Sequence, residues 1–246
     1  MGQIPGGGDD GLKNFFTLAY HIQHSSSFFW FEGMNHPFGE YLSFTDNQPL
    51  IAIVLKFANL FLPVSENLHL IHPVLIIVGF AWGSWLLALI FLRLKMPAWL
   101  AIFAAVGIIF LSPQWIRLSG HYSLAYGFII PATIYALQRW NDDEKKMCWL
   151  LLGIPLLSGF LHPYFTLMTA GFIFWFLLLR QLINGKWKNI HEWLQTILIP
   201  LLPLLIFQLF LWLTDPVSDR PDAPFGYMVY RATMPSVFLP MYTGFT

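Results

Sequence analysis

Two adjacent carboxylates in a glycine-rich turn are the first residues in this chain that could do chemistry. The stretch Gly6-Gly7-Gly8-Asp9-Asp10-Gly11-Leu12-Lys13-Asn14 puts Asp9 and Asp10 where glycines let the backbone approach a ligand closely. Such a pair binds a divalent cation, or one member serves as a base. The same aspartates suit a helix N-cap, and the two readings are compatible. Asp10 and Asp9 are the candidate catalytic residues, with Lys13 and Asn14 beside them as candidate substrate-binding residues.

Three further polar clusters interrupt an otherwise apolar chain. Phe31-Glu32-Gly33-Met34-Asn35-His36-Pro37-Phe38-Gly39-Glu40 leads on to Thr45-Asp46-Asn47-Gln48-Pro49. Asn35, His36 and Asp46 are candidate substrate-binding residues here, and Asp46 joins Asp9 and Asp10 as a candidate ligand for Mg or Mn. The plainer readings are an interfacial aromatic belt for Trp30, Phe31 and Phe38, helix caps for Thr45 to Gln48, and a simple turn at His36. Arg117 and His121 stand four apart, so on a helix they would share a face and suit a phosphate; snorkelling of Arg117 to lipid headgroups is the alternative. His162-Pro163-Tyr164 falls between two apolar runs, where polar backbone must line a cavity or meet protein. His69 and His72 lie three apart without the neighbouring glutamate of a metalloprotease motif, and read as interfacial. Asn141 to Lys146 reads as a solvated connection.

The elements that must carry these residues are membrane helices. Only 11% of the 246 residues are charged, against about 25% in soluble domains, and 57% are hydrophobic. Lys+Arg and Asp+Glu number 13 each, so no basic surface is available for nucleic acid. The single cysteine, Cys148, excludes an internal disulfide framework. The composition predicts an all-α polytopic transmembrane bundle, with about six spans of the apolar length a bilayer requires. They are Leu70–Leu92, Ala98–Leu111, Tyr122–Leu137, Cys148–His162, Tyr164–Leu179 and Trp193–Leu213. Pro49–Leu62, with Lys56 inside it, is expected to lie near the interface or to lead into the first full span.

Dense Lys and Arg at Arg93, Lys95, Arg139, Lys145, Lys146, Arg180, Lys186 and Lys188 put those connections on the cytoplasmic side. The chain then divides into an extracytoplasmic loop (1–48), an interfacial helix and connection (49–69), a helix bundle (70–213) and a second extracytoplasmic segment (214–246). Residues 1–48 lie outside without a preceding span or signal, and the chain ends within a loop. Both features suggest part of a longer protein. On this topology Asp10, Arg117, His121, His162 and Tyr164 converge at the outer membrane face, where a lipid-linked phosphate would arrive.

The motifs Gly8 to Asn14, Gly33 to Glu40 and Thr45 to Pro49, with the Arg117–His121 and His162–Tyr164 turns, resemble those of the GT-C superfamily of membrane glycosyltransferases, and most closely its uncharacterised bacterial members. The resemblance covers most of the chain. It implies a polyprenyl-phosphate sugar donor, a glycan, lipid or protein acceptor, an aspartate early in the first outer loop as base (Asp10, with Asp9 competing), and the bacterial inner membrane. In some relatives loop acids bind a metal, a role open to Asp46. Full-length relatives carry more spans. A transporter or flippase of lipid-linked glycans, which would be expected to show paired repeats, and a non-catalytic membrane subunit are the competing readings.

Overall fold

The computed structural model describes residues 9–142, 145–185 and 188–218. The chain divides into a main unit ending at Thr214 and a second beginning at Asp215. In the second, the Asp215 carboxylate accepts the Val217 amide at 3.1 Å.

The main unit opens with α1 (Asp9–Gln23), whose first turn holds the acidic pair where the positive end of the helix dipole favours it. Asn14, Thr17, Leu18, His21 and Ile22 form its buried face. A short hairpin follows, β1 (Trp30–Phe31) against β2 (Glu40–Tyr41), pairing Trp30 with Tyr41 and Phe31 with Glu40. A 3-10 turn at Leu42–Phe44 leads to α2 (Pro49–Ala58). Pro49 takes the first helical position, where its missing N–H costs nothing. α1 packs on α2 through Leu18, Ile22, Ala52 and Leu55, with Phe31 and Leu42 from the hairpin region. Lys56, inside the apolar α2, is buried there. Its ammonium donates to the carbonyls of His21 and Ser25, filling the acceptors left open at the C-terminal end of α1.

The bundle comprises α3 (Leu68–Arg93), α4 (Ala98–Phe110), the single turn α5 (Gln114–Arg117), α6 (Ile129–Asn141), α7 (Cys148–Gly159), α8 (Pro163–Ile183) and α9 (Ile190–Thr214). α3 packs on α4 and α6, while α7, α8 and α9 pack mutually, with α6 joining the two groups. Ile76, Phe80, Ala105, Ile109, Tyr126 and Phe165 belong to the larger core. Leu137, Trp140, Leu151, Ile173 and Ile199 fill a second one. At Gly159 any side chain would strike the Thr166 hydroxyl and the Phe207 ring, so a glycine lets α7, α8 and α9 meet.

Four stretches are long and apolar enough to cross a membrane: Leu68–Arg93, Ala98–Arg117, Pro163–Ile183 and Ile190–Thr214. Their outer faces expose large apolar side chains, among them Val74, Ile77, Phe103, Leu167 and Ile206. That is the build of a membrane helix bundle. Two of the six expected spans are shorter than anticipated. α6 has 13 residues and α7 has 12, about 20 and 18 Å at the helical rise, against a hydrocarbon core of about 30 Å. Residues 122–128, expected within a span, form a 3-10 turn at Tyr122–Leu124 and irregular chain before α6.

Opposite the ends that carry His121 and His162, ion pairs tie the helices together. Arg93 pairs with Asp142. Arg180 bonds Asn141 at 2.8 Å and Glu192 at 3.2 Å, and stacks 4.6 Å from the Trp140 ring centroid. Asn141 and Asp142, expected in a merely solvated connection, are thus clamps between helix ends. The second extracytoplasmic segment foreseen at 214–246 lies outside the described residues from 219 onward.

Candidate functional site

The site begins where α1 meets the turn after α5. Asn14, 1% exposed, donates its side-chain amide to the Asp10 carbonyl at 3.0 Å and to the Gly120 carbonyl at 2.7 Å. A Cβ at Gly120 would lie 2.8 Å from the Asp10 Cβ, closer than real side chains pack. The lack of a side chain at 120 therefore holds the exposed Asp10 against the Ser119–His121 turn. Asn14, a candidate for binding substrate, instead fixes this junction from beneath.

The turn before α2 supplies the second acid. Thr45, Asn47 and Gln48 are fully buried, and Asp46 between them is half-exposed. Asp46 (φ 57°) and Gln48 (φ 48°) both adopt left-handed backbone, which non-glycine residues enter at a cost of roughly 1–2 kcal/mol each. The Asp46 carboxylate accepts from the Lys13 ammonium at 2.8 Å, and the Asn47 amide donates to the Thr17 carbonyl at 2.9 Å. Both bonds bind the turn to α1.

The third contribution comes from the start of α8. The His162 ring caps that helix, Nδ1 accepting from the Tyr164 amide at 3.3 Å, and the Tyr164 ring lies 4.6 Å away. Asp46 and His121 both act electrostatically on the His162 ring, so the three share one neighbourhood. The structure thus brings together Asp10, Lys13, Asn14, Asp46, His121 and His162, with Tyr164 on the rim.

Other candidates stand differently. α5 ends at Arg117, and the His121 amide donates to the Arg117 carbonyl at 2.8 Å, one further turn beyond the helix. The Arg117 side chain is exposed and makes no hydrogen bond or ion pair among the described residues. Asn35 and His36 are exposed at the hairpin tip, where the Asn35 amide reaches Glu40 at 3.4 Å. Asp9 opens α1, but its side chain lies outside the described residues. No group of three His, Cys, Asp or Glu comes together among the described residues, and Asp46 is already engaged by Lys13.

Three residues in or under the site escape a reading by motif as site residues. Gln48 donates to His72 Nε2 at 3.0 Å and accepts the Tyr126 hydroxyl at 2.6 Å. Gln48 and His72 are visible in the sequence as a possible cap and an interfacial residue. Tyr126 gives no signal within its apolar run.

An apolar cavity of about 430 Å³ opens between α3, α6 and α7, lined by Leu50, Trp82, Trp85, Phe128, Gly153 and Leu161 among others. Leu161 adjoins His162, and Leu50 lies in the first turn of the helix that Asp46 precedes. The Leu50 amide donates to the Phe160 carbonyl at 2.6 Å, so the two turns are joined at the cavity's end. The arrangement joins an exposed carboxylate, a lysine-paired carboxylate and two histidines, and near neighbours in sequence of Asp46 and His162, Leu50 and Leu161, line the apolar groove. It can take a proton from a hydroxyl and offer cationic or hydrogen-bonding groups to an anion on an apolar chain.

No curated protein and no solved structure matches the chain. One family matches residues 2–245, almost the whole sequence, and the chain belongs to it: the family described as Domain of unknown function (DUF6311).

Proposed function

We propose that the protein is an integral-membrane glycosyltransferase of GT-C type, moving a sugar from a polyprenyl-phosphate donor to a glycan, lipid or protein acceptor. The observation that carries this reading is the junction of the Asp10–Asp46–His121–His162 cluster with the end of the apolar groove. A lipid-linked phosphate is the substrate that needs both. In the proposed step Asp10 takes the acceptor hydroxyl proton, and the oxygen attacks the anomeric carbon. The bond from that carbon to the phosphate oxygen breaks, and polyprenyl phosphate leaves with the electron pair. A single displacement inverts the sugar carbon. Lys13, Arg117 and His121 receive the phosphate charge, and the groove holds the chain. The basic residues at the opposite helix ends favour an extracytoplasmic site in the bacterial inner membrane, with α6, α7 and their flanks completing six crossings.

The test is release of polyprenyl phosphate from a panel of polyprenyl-phosphate hexoses by the protein in nanodiscs. Asp10→Asn is expected to lower release by about 10²-fold or more, the usual worth of a general base, with membrane insertion unchanged. Full activity in that variant would remove Asp10 from the role. Movement of intact lipid-linked sugar across vesicles, with no polyprenyl phosphate formed, would replace the enzyme by a flippase.

A further inference from the structure

The polar residues beneath the site have no substrate to meet, yet they form a continuous chain. The Tyr126 hydroxyl donates to Gln48 Oε1 at 2.6 Å, and the Gln48 amide nitrogen faces His72 Nε2 at 3.0 Å. With its oxygen taken by the tyrosine, Gln48 is the donor to His72, so His72 Nε2 is the acceptor and the ring proton sits on Nδ1. Gln48 and His72 are 0% and 2% exposed and Tyr126 is 3% exposed. The His72 ring stands edge-on to Phe15 of α1 at 6.2 Å and to Tyr122 at 4.9 Å. The chain therefore touches each element that carries a site group except the start of α8: α1 with Asp10 and Lys13, the turn with Asp46, and the segment after His121.

An apolar core would hold these elements together at least as well, since buried polar groups seldom add net stability. What hydrogen bonds add is a fixed geometry. Gln48 needs it, because left-handed backbone at two residues out of three persists only where the surroundings over-determine it. Three of the four side chains from Thr45 to Gln48 are buried and bonded, and the fourth, Asp46, faces outward to Lys13.

We infer that Tyr126, Gln48 and His72 are positioning residues: their buried chain locks the left-handed turn that presents Asp46, and through it the Lys13–Asp46 pair, to the site. The kinetic half of this inference rests on the glycosyltransferase reading; the geometric half does not.

The experiment uses the full chain in nanodiscs, with Cys148→Ala removing its one cysteine and Thr45→Cys placing a thiol at a fully buried position of the turn. Labelling by a membrane-impermeant maleimide is compared in His72→Leu, His72→Gln and Tyr126→Phe. Thr133→Val serves as control, removing a buried hydroxyl that bonds only the Ile129 carbonyl at 2.9 Å. Labelling at 45 is expected to rise about tenfold or more in His72→Leu and Tyr126→Phe, by release of a locally ordered turn. It should stay near background in Thr133→Val and in His72→Gln, which keeps an acceptor. Where donor turnover is measurable, His72→Leu is expected to lower kcat/KM about tenfold by displacing the Lys13–Asp46 pair, and His72→Gln to restore it. Labelling within twofold of background in both His72→Leu and Tyr126→Phe would overturn the inference, as would an equal rise in Thr133→Val. If no donor is turned over, the labelling alone decides, and the loss falls on the glycosyltransferase reading.

Discussion

At the residue scale, the site depends on a missing side chain as much as on charged ones. Gly120→Ala would force its Cβ against the Cβ of Asp10, which cannot swing aside as the end of a long side chain would. Overpacking of this kind costs about 1–3 kcal/mol. Its main effect is expected on activity, through displacement of Asp10, and a KM–kcat comparison beside the melting temperature checks that. Lys13→Ala should behave oppositely. The Lys13 and Asp46 side chains are 47% and 36% exposed, and such surface pairs are worth about 0–1 kcal/mol, so a small change in melting temperature is expected with a clear loss of donor binding. Asp10, Lys13, Asp46, His121 and His162 are legible in the sequence because polar residues stand out against an apolar background, where burying them uselessly is costly. Gly120 is legible only as a turn residue, since the Cβ it excludes belongs to a residue 110 positions away.

At the element scale, α1 and α2 pack on each other around a buried lysine and a buried histidine. Burial, with the neighbouring Lys56 charge, pushes the His21 pKa down to about 4. A histidine held neutral in the folded state contributes its stability above its unfolded pKa of about 6.5, and loses it as pH falls toward 4. Serine donors also hold the Glu32 carboxyl below its ordinary range, and that contribution too is lost on acidification. Melting in detergent should therefore fall between about pH 6.5 and 4, by on the order of 3 kcal/mol for His21. His21→Leu is expected to flatten that part of the profile. A slope unchanged by the substitution would assign the acid sensitivity elsewhere. The long helices α3, α8 and α9 are legible from their uninterrupted apolar runs. The late start of α6 is not. Residues 122–128 are apolar enough to read as helix, but Gly127 takes close packing from Gly83, whose added Cβ would meet the Gly127 carbonyl at 2.7 Å. Tertiary contacts of that kind override local pattern.

At the scale of the whole molecule, the groove between α3, α6 and α7 is the feature a sequence conceals, because every residue lining it also reads as lipid-facing or core. Gly153 borders it, and a Cβ there meets nothing within 4 Å. Gly153→Leu should fold normally and still raise the KM for long-chain polyprenyl donors about tenfold, while short-chain analogues are spared. Equal effects on both chain lengths would separate the groove from donor binding. The short helices α6 and α7 have a consequence for the surrounding lipid. Hydrocarbon beside an element about 10 Å too short must compress or admit headgroups to meet it. A donor headgroup approaching along that side would then travel a shorter distance through the apolar layer before reaching His162. Under the proposed function, turnover is accordingly expected to be faster in nanodiscs of short-chain phospholipid than in thick, saturated ones, so that bilayer thickness itself becomes a parameter of the proposed activity.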